Sequence, residues 1–208
     1  MYMKKLIPSE NHIVFILKAS QAVTAPIFTF KSLASLGGRM DLVARAIIAA
    51  IAKKSGIRKN ILFISIFEGP PNPPITFIID SNKFHKTVIS EKNVANIILT
   101  TLRNKSSSVA YILNASFREI ITYCLNLFGK KKTVYLCENG IDIRTLPRKY
   151  IDQIRVFIIG DHRGIDKENE KWLEKKGLSK ICLGPISYLA SHVITIVLEE
   201  KTRAKETS

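Results

Sequence analysis

The last third of the chain alternates short apolar segments with amphipathic ones, and this alternation constrains the fold more than any other feature. Thr133–Cys137, Arg155–Ile159 and Lys180–Leu183 are mainly apolar, which predicts three strands. Lys167–Lys176 and Ser187–Glu200 have helical spacing. Strands that are separated by helices predict a parallel sheet with helices on both faces. The sequence therefore predicts an α/β fold with a mostly parallel sheet.

The first two thirds contain the same kinds of element. The first predicted elements are a strand at His12–Lys18, a helix at Asp41–Ser55, a strand at Ile61–Phe67, and a hairpin of Ile75–Asp80 and Phe84–Val88 around Ser81-Asn82. A helix capped by Ser90 is predicted to end near Arg103, and a polar loop follows at Asn104–Ser108. The next predicted helix runs from Ser116 to Phe128 and opens with the capping-box spacing of Ser116 and Glu119, and a turn is predicted at Asn139-Gly140. No repeat or Gly/Ser-rich linker interrupts them. This predicts one domain over residues 9–200, a flexible segment over 1–8 and a disordered tail over 201–208.

The chain is strongly basic. It has 32 Lys and Arg against 17 Asp and Glu, which gives a formal net charge of +15 at pH 7. Such a charge attracts polyanions, and nucleic acid is the commonest of these. The Lys-rich surface of a thermophilic or ribosome-associated protein would give the same composition. No apolar run reaches the roughly 18–20 residues that span a bilayer, and Met1–Lys5 has no signal-peptide pattern. We therefore expect a cytoplasmic protein without a membrane segment.

Three cysteines, Cys124, Cys137 and Cys182, lie in apolar stretches. Their odd number and the absence of a CxxC spacing predict neither a disulfide framework nor a zinc site. We expect buried structural thiols, because a free cysteine behaves as a small apolar residue. No metal is expected.

Glycine-containing loops follow the three predicted strands of the last third. They are Glu138-Asn139-Gly140, Gly160–Gly164 and Leu183–Ile186. The carboxyl ends of parallel strands meet at one edge of a sheet, where ligands bind. The GxGxxG, GxxxxGK[ST], HExxH and GxSxG motifs are missing, which disfavours dinucleotide-binding enzymes, P-loop ATPases, zinc peptidases and serine hydrolases. The three loops alone are compatible with a small-ligand site or with ordinary turns.

Four segments give the sequence a resemblance to a known family. They are Ser35–Leu42 (SLGGRMDL), Gly69–Pro74 (GPPNPP), Phe157–His162 (FIIGDH), and Leu183-Gly184-Pro185 followed by His192–Ile196 (HVITI). Their order and spacing resemble the TrmY family of tRNA pseudouridine N1-methyltransferases over residues from about 12 to 198. The GPPNPP run is the most distinctive of them.

The resemblance implies a SPOUT-type fold, in which the C-terminal part of the chain forms a trefoil knot. Knots are rare exceptions to the rules of chain topology, so the periodicity alone does not predict one. The resemblance also implies S-adenosylmethionine as the cofactor, bound in the knot, and a homodimer. The implied substrate is tRNA, methylated on N1 of the pseudouridine at position 54 in the T-loop.

The same resemblance implies a set of cofactor-binding residues. Matched position by position, they are Leu136, Gly160, Leu183, Gly184, Pro185, Ile186, Ser187 and Val193. The family often has serine, glutamate and cysteine where this chain has Gly184, Ser187 and Val193. Contacts from the backbone should survive these differences. Catalysis in this chain should not depend on a thiol at the last of these positions.

Asp41 and Arg39 are the predicted catalytic residues. Pseudouridine is joined to its ribose through carbon, so N1 carries a proton that must leave, and a nearby carboxylate is suited to be the base. Asp41 lies at a predicted helix start, where the helix dipole stabilises an anion, and Arg39 is suited to bind a phosphate or the uracil oxygens. The structural alternative is that Asp41 caps the helix and Arg39 only pairs with it. His162 is expected to shape the cofactor loop and His192 to pack within the last helix.

RNA binding is predicted for dispersed basic residues. The candidates are Arg45, Arg58, Lys59, Lys130, Lys131, Lys132, Arg144 and Arg163. The three consecutive lysines are equally compatible with a solvated turn. Three other functions stay open: a related enzyme acting on a ribosomal RNA pseudouridine, one that methylates a ribose 2′-hydroxyl, and a basic RNA-binding module that has lost its cofactor.

Overall fold

A computed structural model describes residues 8–54, 56–85 and 89–206. Its strands are β1 (Ile13–Ala19), β2 (Ala52–Lys53), β3 (Gly56–Ile57), β4 (Ile61–Phe67), β5 (Ile75–Asp80), β6 (Ala110–Leu113), β7 (Thr133–Asp142), β8 (Val156–Gly160) and β9 (Ser179–Cys182). Its α-helices are α1 (Met40–Ile51), α2 (Glu91–Asn104), α3 (Phe117–Phe128), α4 (Arg148–Gln153), α5 (Lys167–Lys175) and α6 (Ala190–Glu206).

Seven of the strands form one sheet, in the order β6-β5-β4-β1-β8-β7-β9. The pairs β1–β4, β1–β8, β7–β8 and β7–β9 are parallel, and β5 runs antiparallel to β4 and β6. The strands β2 and β3 form a separate antiparallel pair. The predicted α/β class with a mostly parallel sheet is confirmed.

Helices cover both faces of this sheet, as the alternation of apolar segments predicts. Phe15 and Leu17 of β1 point to one face, where they share a core with residues of α1, α2, α4 and α6. Val14 and Ile16 point to the other face and share a core with residues of α3 and α5. All four side chains are fully buried. Burial on both faces explains why the sequence of β1 is a nearly continuous apolar run. In the described ranges, no helix is long and apolar enough to cross a bilayer.

The helix caps match the sequence signals. Ser116 accepts a hydrogen bond from the backbone N–H of Glu119, and the Glu119 carboxylate accepts one from the Ser116 N–H at 2.8 Å. This is the predicted capping box, and α3 ends at Phe128 before Gly129. The Ser90 hydroxyl caps α2 by accepting from the Asn93 N–H at 3.2 Å.

Several local predictions are wrong. The helix predicted to reach Ser55 ends at Ile51, since the next two residues pair with β3, and position 55 lies outside the described residues. Phe84 and His85 form no strand, and 86–88 lie outside the described residues. The partner of β5 is instead β6, an element that the sequence analysis missed. The predicted Asn139-Gly140 turn lies within β7, where the pairing with β9 is irregular.

The C-terminal segment is helical where a disordered tail was predicted. Helix α6 starts later than predicted, at Ala190, and continues to Glu206. The Lys201 side chain is buried and donates to the carbonyls of Ile151, Asp152 and Ile154 at 3.0, 3.0 and 2.8 Å. It thereby satisfies the carboxyl end of α4, a helix that the sequence analysis also missed. The tail prediction is wrong for 201–206, while 207–208 and 1–7 lie outside the described residues.

Candidate functional site

A cavity of about 860 Å³ opens at the carboxyl ends of β7, β8 and β9. This volume lies within the range of small-molecule binding sites. Seven of the eight predicted cofactor-binding residues line it: Leu136, Gly160, Leu183, Gly184, Ile186, Ser187 and Val193. Pro185 lies between two lining residues but does not line the cavity itself. The three glycine-containing loops therefore meet at one site, as the parallel sheet predicts.

The loop after β8 is folded tightly at Gly160. A Cβ atom at this position would lie 2.3 Å from the carbonyl carbon of Gly164 and 2.6 Å from the backbone nitrogen of Ile165. Since real Cβ atoms do not approach backbone that closely, only glycine allows the loop to turn back on itself here. The sequence requirement at Gly160 is thus steric, and it sets the shape of the cavity wall.

Asp161 fixes the same loop to the segment after β1. Its carboxylate accepts from the backbone N–H and the hydroxyl of Ser20, both at 2.7 Å, and from the N–H of Arg163 at 2.8 Å. His162 is more exposed, and its Nδ1 lies 3.7 Å from the Asp161 carboxylate. Asp161 is therefore occupied in holding the loop, and His162 lies in the wall of the cavity.

A carboxylate links two of the loops across the cavity. Ser187 donates its hydroxyl to Glu138 at 2.7 Å. This hydrogen bond, with a backbone N–H, holds the pKa of Glu138 below its usual value, so the side chain stays ionised. Glu138 thus offers the cavity a negative charge. His192, predicted to pack inside the last helix, is instead exposed and lines the cavity.

The predicted catalytic pair lies at the start of α1, beside the cavity rather than in its wall. Arg39 binds both oxygens of the Asp41 carboxylate, at 3.0 and 3.2 Å, and Arg45 lies 3.2 Å from it. Asp41 is only 5% exposed. Burial would raise its pKa, but the two arginines outweigh burial and the pKa is lowered. Leu42 and Arg45 of the same helix do line the cavity.

The GPPNPP run lies against the segment after β1. Thr24 donates its backbone N–H to the Pro70 carbonyl at 2.8 Å, and its hydroxyl accepts from the Asn72 N–H at 2.9 Å. A Cβ atom at Gly38 or at Gly69 would lie 1.9 or 2.4 Å from the carbonyl oxygen of Gln21. The segment after β1 is therefore held between the loop that carries Arg39 and the proline run.

An ion cluster around the buried Lys18 side chain, which the sequence analysis missed, links the walls of the site. The Lys18 ammonium, at the end of β1, contacts Glu68 and lies 3.0 Å from Asp166 at the start of α5. Burial would lower the pKa of Lys18, but the two carboxylates raise it. Burial likewise opposes ionisation of Asp166, but bonds from Asn169 and Lys18 lower its pKa to about 2. A lysine at the end of an otherwise apolar strand was the available signal.

The predicted RNA-binding residues fall into three groups. Arg45 and Arg163 line the cavity. Three others have partners within the chain: Arg58 donates to the Ala49 carbonyl at 3.1 Å, Lys59 to the Phe84 carbonyl at 2.9 Å, and Arg144 to Glu200 at 3.1 Å. Lys130, Lys131 and Lys132 are exposed.

Comparison with known proteins decides the family. Residues 13–205 match a family described as SAM-dependent RNA methyltransferases. The chain belongs to this family. It is 34% identical over 203 residues to the tRNA (pseudouridine(54)-N(1))-methyltransferase of Methanococcus aeolicus, which covers 93% of this chain and 98% of that protein. It is also 34% identical over 197 residues to the enzyme of the same name from Thermococcus kodakarensis, covering 88% and 95% of the two chains.

A solved structure shares the fold. The crystal structure of Archaeoglobus fulgidus Nep1 bound to S-adenosylhomocysteine superposes with a TM-score of 0.65 at 13% identity, covering 94% of this chain and 99% of that one. This likeness shows that the two chains share one fold although few of their residues are identical.

Two further predictions concern the three cysteines and a metal site. Cys124 is buried in the core, and burial raises the pKa of its thiol to about 12. Cys137 and Cys182 are half-buried and line the cavity, so they are less enclosed than predicted. In the part of the chain that the structure describes, no three His, Cys, Asp or Glu side chains are grouped to hold a metal ion.

Proposed function

We propose that this chain transfers a methyl group from S-adenosylmethionine to N1 of pseudouridine 54 in tRNA. The observation that carries this function is the position of the Arg39–Asp41 pair, beside a cavity lined by seven of the predicted cofactor-binding residues. The names of the two relatives above support the choice of tRNA and of this nucleotide.

The cavity suits S-adenosylmethionine chemically. This cofactor combines an adenine, ribose hydroxyls, an ammonium group and a sulfonium, which supplies an electrophilic methyl group. Leu136, Leu183 and Val193 provide apolar surface, and the ionised Glu138 provides an acceptor for hydroxyl or ammonium donors. Gly160 leaves backbone, rather than a side chain, at the wall.

Asp41 is suited to receive the proton of the acceptor nitrogen. Its carboxylate is ionised at neutral pH, because Arg39 and Arg45 hold its pKa below the usual value, and an ionised carboxylate is an acceptor of hydrogen bonds. It can therefore accept a hydrogen bond from N1–H, orient the nucleotide and take the proton as the new N–C bond forms. Uridine has no N1–H, so the same contact would select pseudouridine. The partly exposed Arg39 is placed to bind a phosphate or a uracil oxygen.

A homodimer, a C-terminal trefoil knot and a cytoplasmic location are part of this proposal. Exposed apolar side chains beside the cavity, Ile141, Ile186 and Leu189, support a covering partner. The close packing of Gly140 against the Ile181 backbone supports a tightly threaded C-terminal region. The net charge of +15 supports binding to RNA.

The test is transfer of labelled methyl from S-adenosylmethionine to two otherwise identical tRNA transcripts, one with uridine and one with pseudouridine at position 54. We expect label only in the second, at N1. Label in both transcripts would point to a ribose 2′-hydroxyl or another atom. Absence of label in both, with cofactor binding seen by calorimetry, would move the substrate to ribosomal RNA. Absence of cofactor binding would leave a non-catalytic RNA-binding module.

A further inference from the structure

A second concave surface lies on the α3–α5 side of the sheet. It is a shallow groove of about 510 Å³. Its lining includes Arg118 and Tyr123 of α3, Trp172 in the last turn of α5, and Lys176 directly after this helix. Trp172 is the single tryptophan of the chain and is half-buried. None of the residues assigned to methyl transfer lines this groove.

Positive charge surrounds the tryptophan. The Arg118 guanidinium carbon lies 5.7 Å and the Lys176 ammonium 5.4 Å from the centre of the Trp172 ring system. The Lys130 ammonium lies 3.8 Å from where a Cβ atom would stand at Gly177, so the exposed run Lys130–Lys132 adjoins the end of α5. We call Arg118, Trp172, Lys176 and Lys130–Lys132 the Trp172 surface.

The nearby acids offset only part of this charge. Glu119 is turned back on the cap of α3, where it accepts from Ser116, and Glu168 pairs with Arg118 at 2.6 Å. In the described part of the chain, Lys130–Lys132 have no carboxylate within salt-bridge distance. Three lysine charges therefore remain available to an outside anion.

The Trp172 surface is connected to the cavity by α5. Lys167 and Glu170 line the cavity, and Lys176 follows Lys167 by nine residues, which is roughly 14 Å at the helical rise. A folded RNA that places one nucleotide at the cavity extends well beyond that distance. The spacing allows one RNA molecule to reach both places.

We infer that the Trp172 surface is a second RNA-contact surface, which presupposes the RNA substrate proposed above. Lysines bind the phosphates of the RNA outside the reacting loop, and an unpaired base or ribose packs against Trp172. Cations interleaved with an aromatic ring match the chemistry by which proteins bind RNA backbone and unstacked bases. An acidic polypeptide would satisfy the lysines but would leave the ring without a stacking partner.

The first experiment compares full-length tRNA with an isolated T-arm hairpin, both containing pseudouridine, as substrates of K131A/K132A. We expect the KM for tRNA to rise about tenfold and the slope of log K against log salt to fall by about 1.5. The kcat and the KM for the hairpin should be unchanged. The control is K53A/K54A, which removes two exposed lysines after α1, a helix on the opposite face; its KM for both RNAs should equal that of the wild type.

Fluorescence of the single tryptophan gives a second measurement that needs no methyl transfer. Titration with tRNA should change the Trp172 emission, and the midpoint should move in K131A/K132A but not in K53A/K54A. An unchanged KM for tRNA, an equal rise for the hairpin, or an equal emission change with polyglutamate would overturn the inference. If the wild type labels neither RNA, the proposed function fails, while the fluorescence titration still decides whether RNA binds here.

Discussion

Replacing Gly160 by alanine tests how tightly the loop after β8 is built and whether this loop forms the proposed cofactor site. The new Cβ would lie 2.3 Å from the carbonyl carbon of Gly164, whereas carbon atoms in contact are about 3.5–4.0 Å apart. The loop must therefore open by roughly 1 Å or more. This movement would disturb the hydrogen bond from the Gly164 N–H to the Asp161 carbonyl, now 2.9 Å long.

A misplacement of about 1 Å in an active site costs about a hundredfold in rate, which corresponds to about 3 kcal/mol, and we expect a loss of the same order in cofactor binding. We therefore expect the dissociation constant of S-adenosylmethionine to rise about a hundredfold in Gly160→Ala, measured by calorimetry. Thermal unfolding followed by circular dichroism would show whether the variant is folded at the assay temperature.

Gly164→Ala is the matched control in the same loop. A Cβ atom at Gly164 meets no atom within 4 Å, although its φ of +72° strains any other residue, at a cost of about 1–2 kcal/mol. We expect this variant to lose stability but to lose much less cofactor affinity than Gly160→Ala, because its new Cβ meets no protein atom and leaves the loop backbone in place. If folded Gly160→Ala bound the cofactor as tightly as the wild type, Gly160 would not shape the cofactor site.

Three other predictions concern the charged groups around the site. Asp41→Asn should lower kcat by about 10²–10⁴-fold, measured by single-turnover kinetics, while the tRNA dissociation constant from filter binding hardly changes. Equal losses of turnover and of tRNA affinity would favour a purely structural role of Asp41 as a helix cap. Lys18→Met should destabilise the protein by about 1–3 kcal/mol in urea unfolding, because it leaves the partly hydrated Glu68 and Asp166 carboxylates unpaired; unchanged stability would contradict the cluster. The pKa of Asp166 is about 2 in the fold, below its ordinary 3.8, so its charge stabilises the fold above about pH 4 and is lost as pH falls towards 2. Asp166→Asn should therefore lower the Tm at pH 7, and the difference in Tm between wild type and variant should shrink as the pH falls towards 2. A difference in Tm that stayed constant with pH would show that only helix capping matters.

Much of the lining of the candidate site was predictable, because its residues lie in segments with strong local signals. Gly160, Leu183 and Gly184 each follow an apolar strand, and the parallel sheet then brings them to one edge. The family resemblance added the cofactor and Asp41, which no periodicity could supply. Pro185 is exposed and lies outside the cavity lining.

Other features depended on contacts between distant parts of the chain. Arg58 was predicted from the sequence to bind RNA, but in the fold it donates a hydrogen bond to the Ala49 carbonyl near the end of α1. Lys201 looked like part of a solvated tail, but it satisfies three carbonyls at the end of α4. The sequence alone does not show whether a basic side chain contacts water, RNA or a buried carbonyl group.

The sequence by itself determined the α/β class, the burial of β1 on both faces, the caps of α2 and α3 and the basic character of the protein. These properties follow from residues within one element, where spacing reports burial and caps report helix ends. Only the tertiary structure decided that β5 pairs with β6 and that Lys18 joins Glu68 to Asp166. These partners lie far apart along the chain, and their contacts depend on how whole elements pack, which no local pattern of residues specifies.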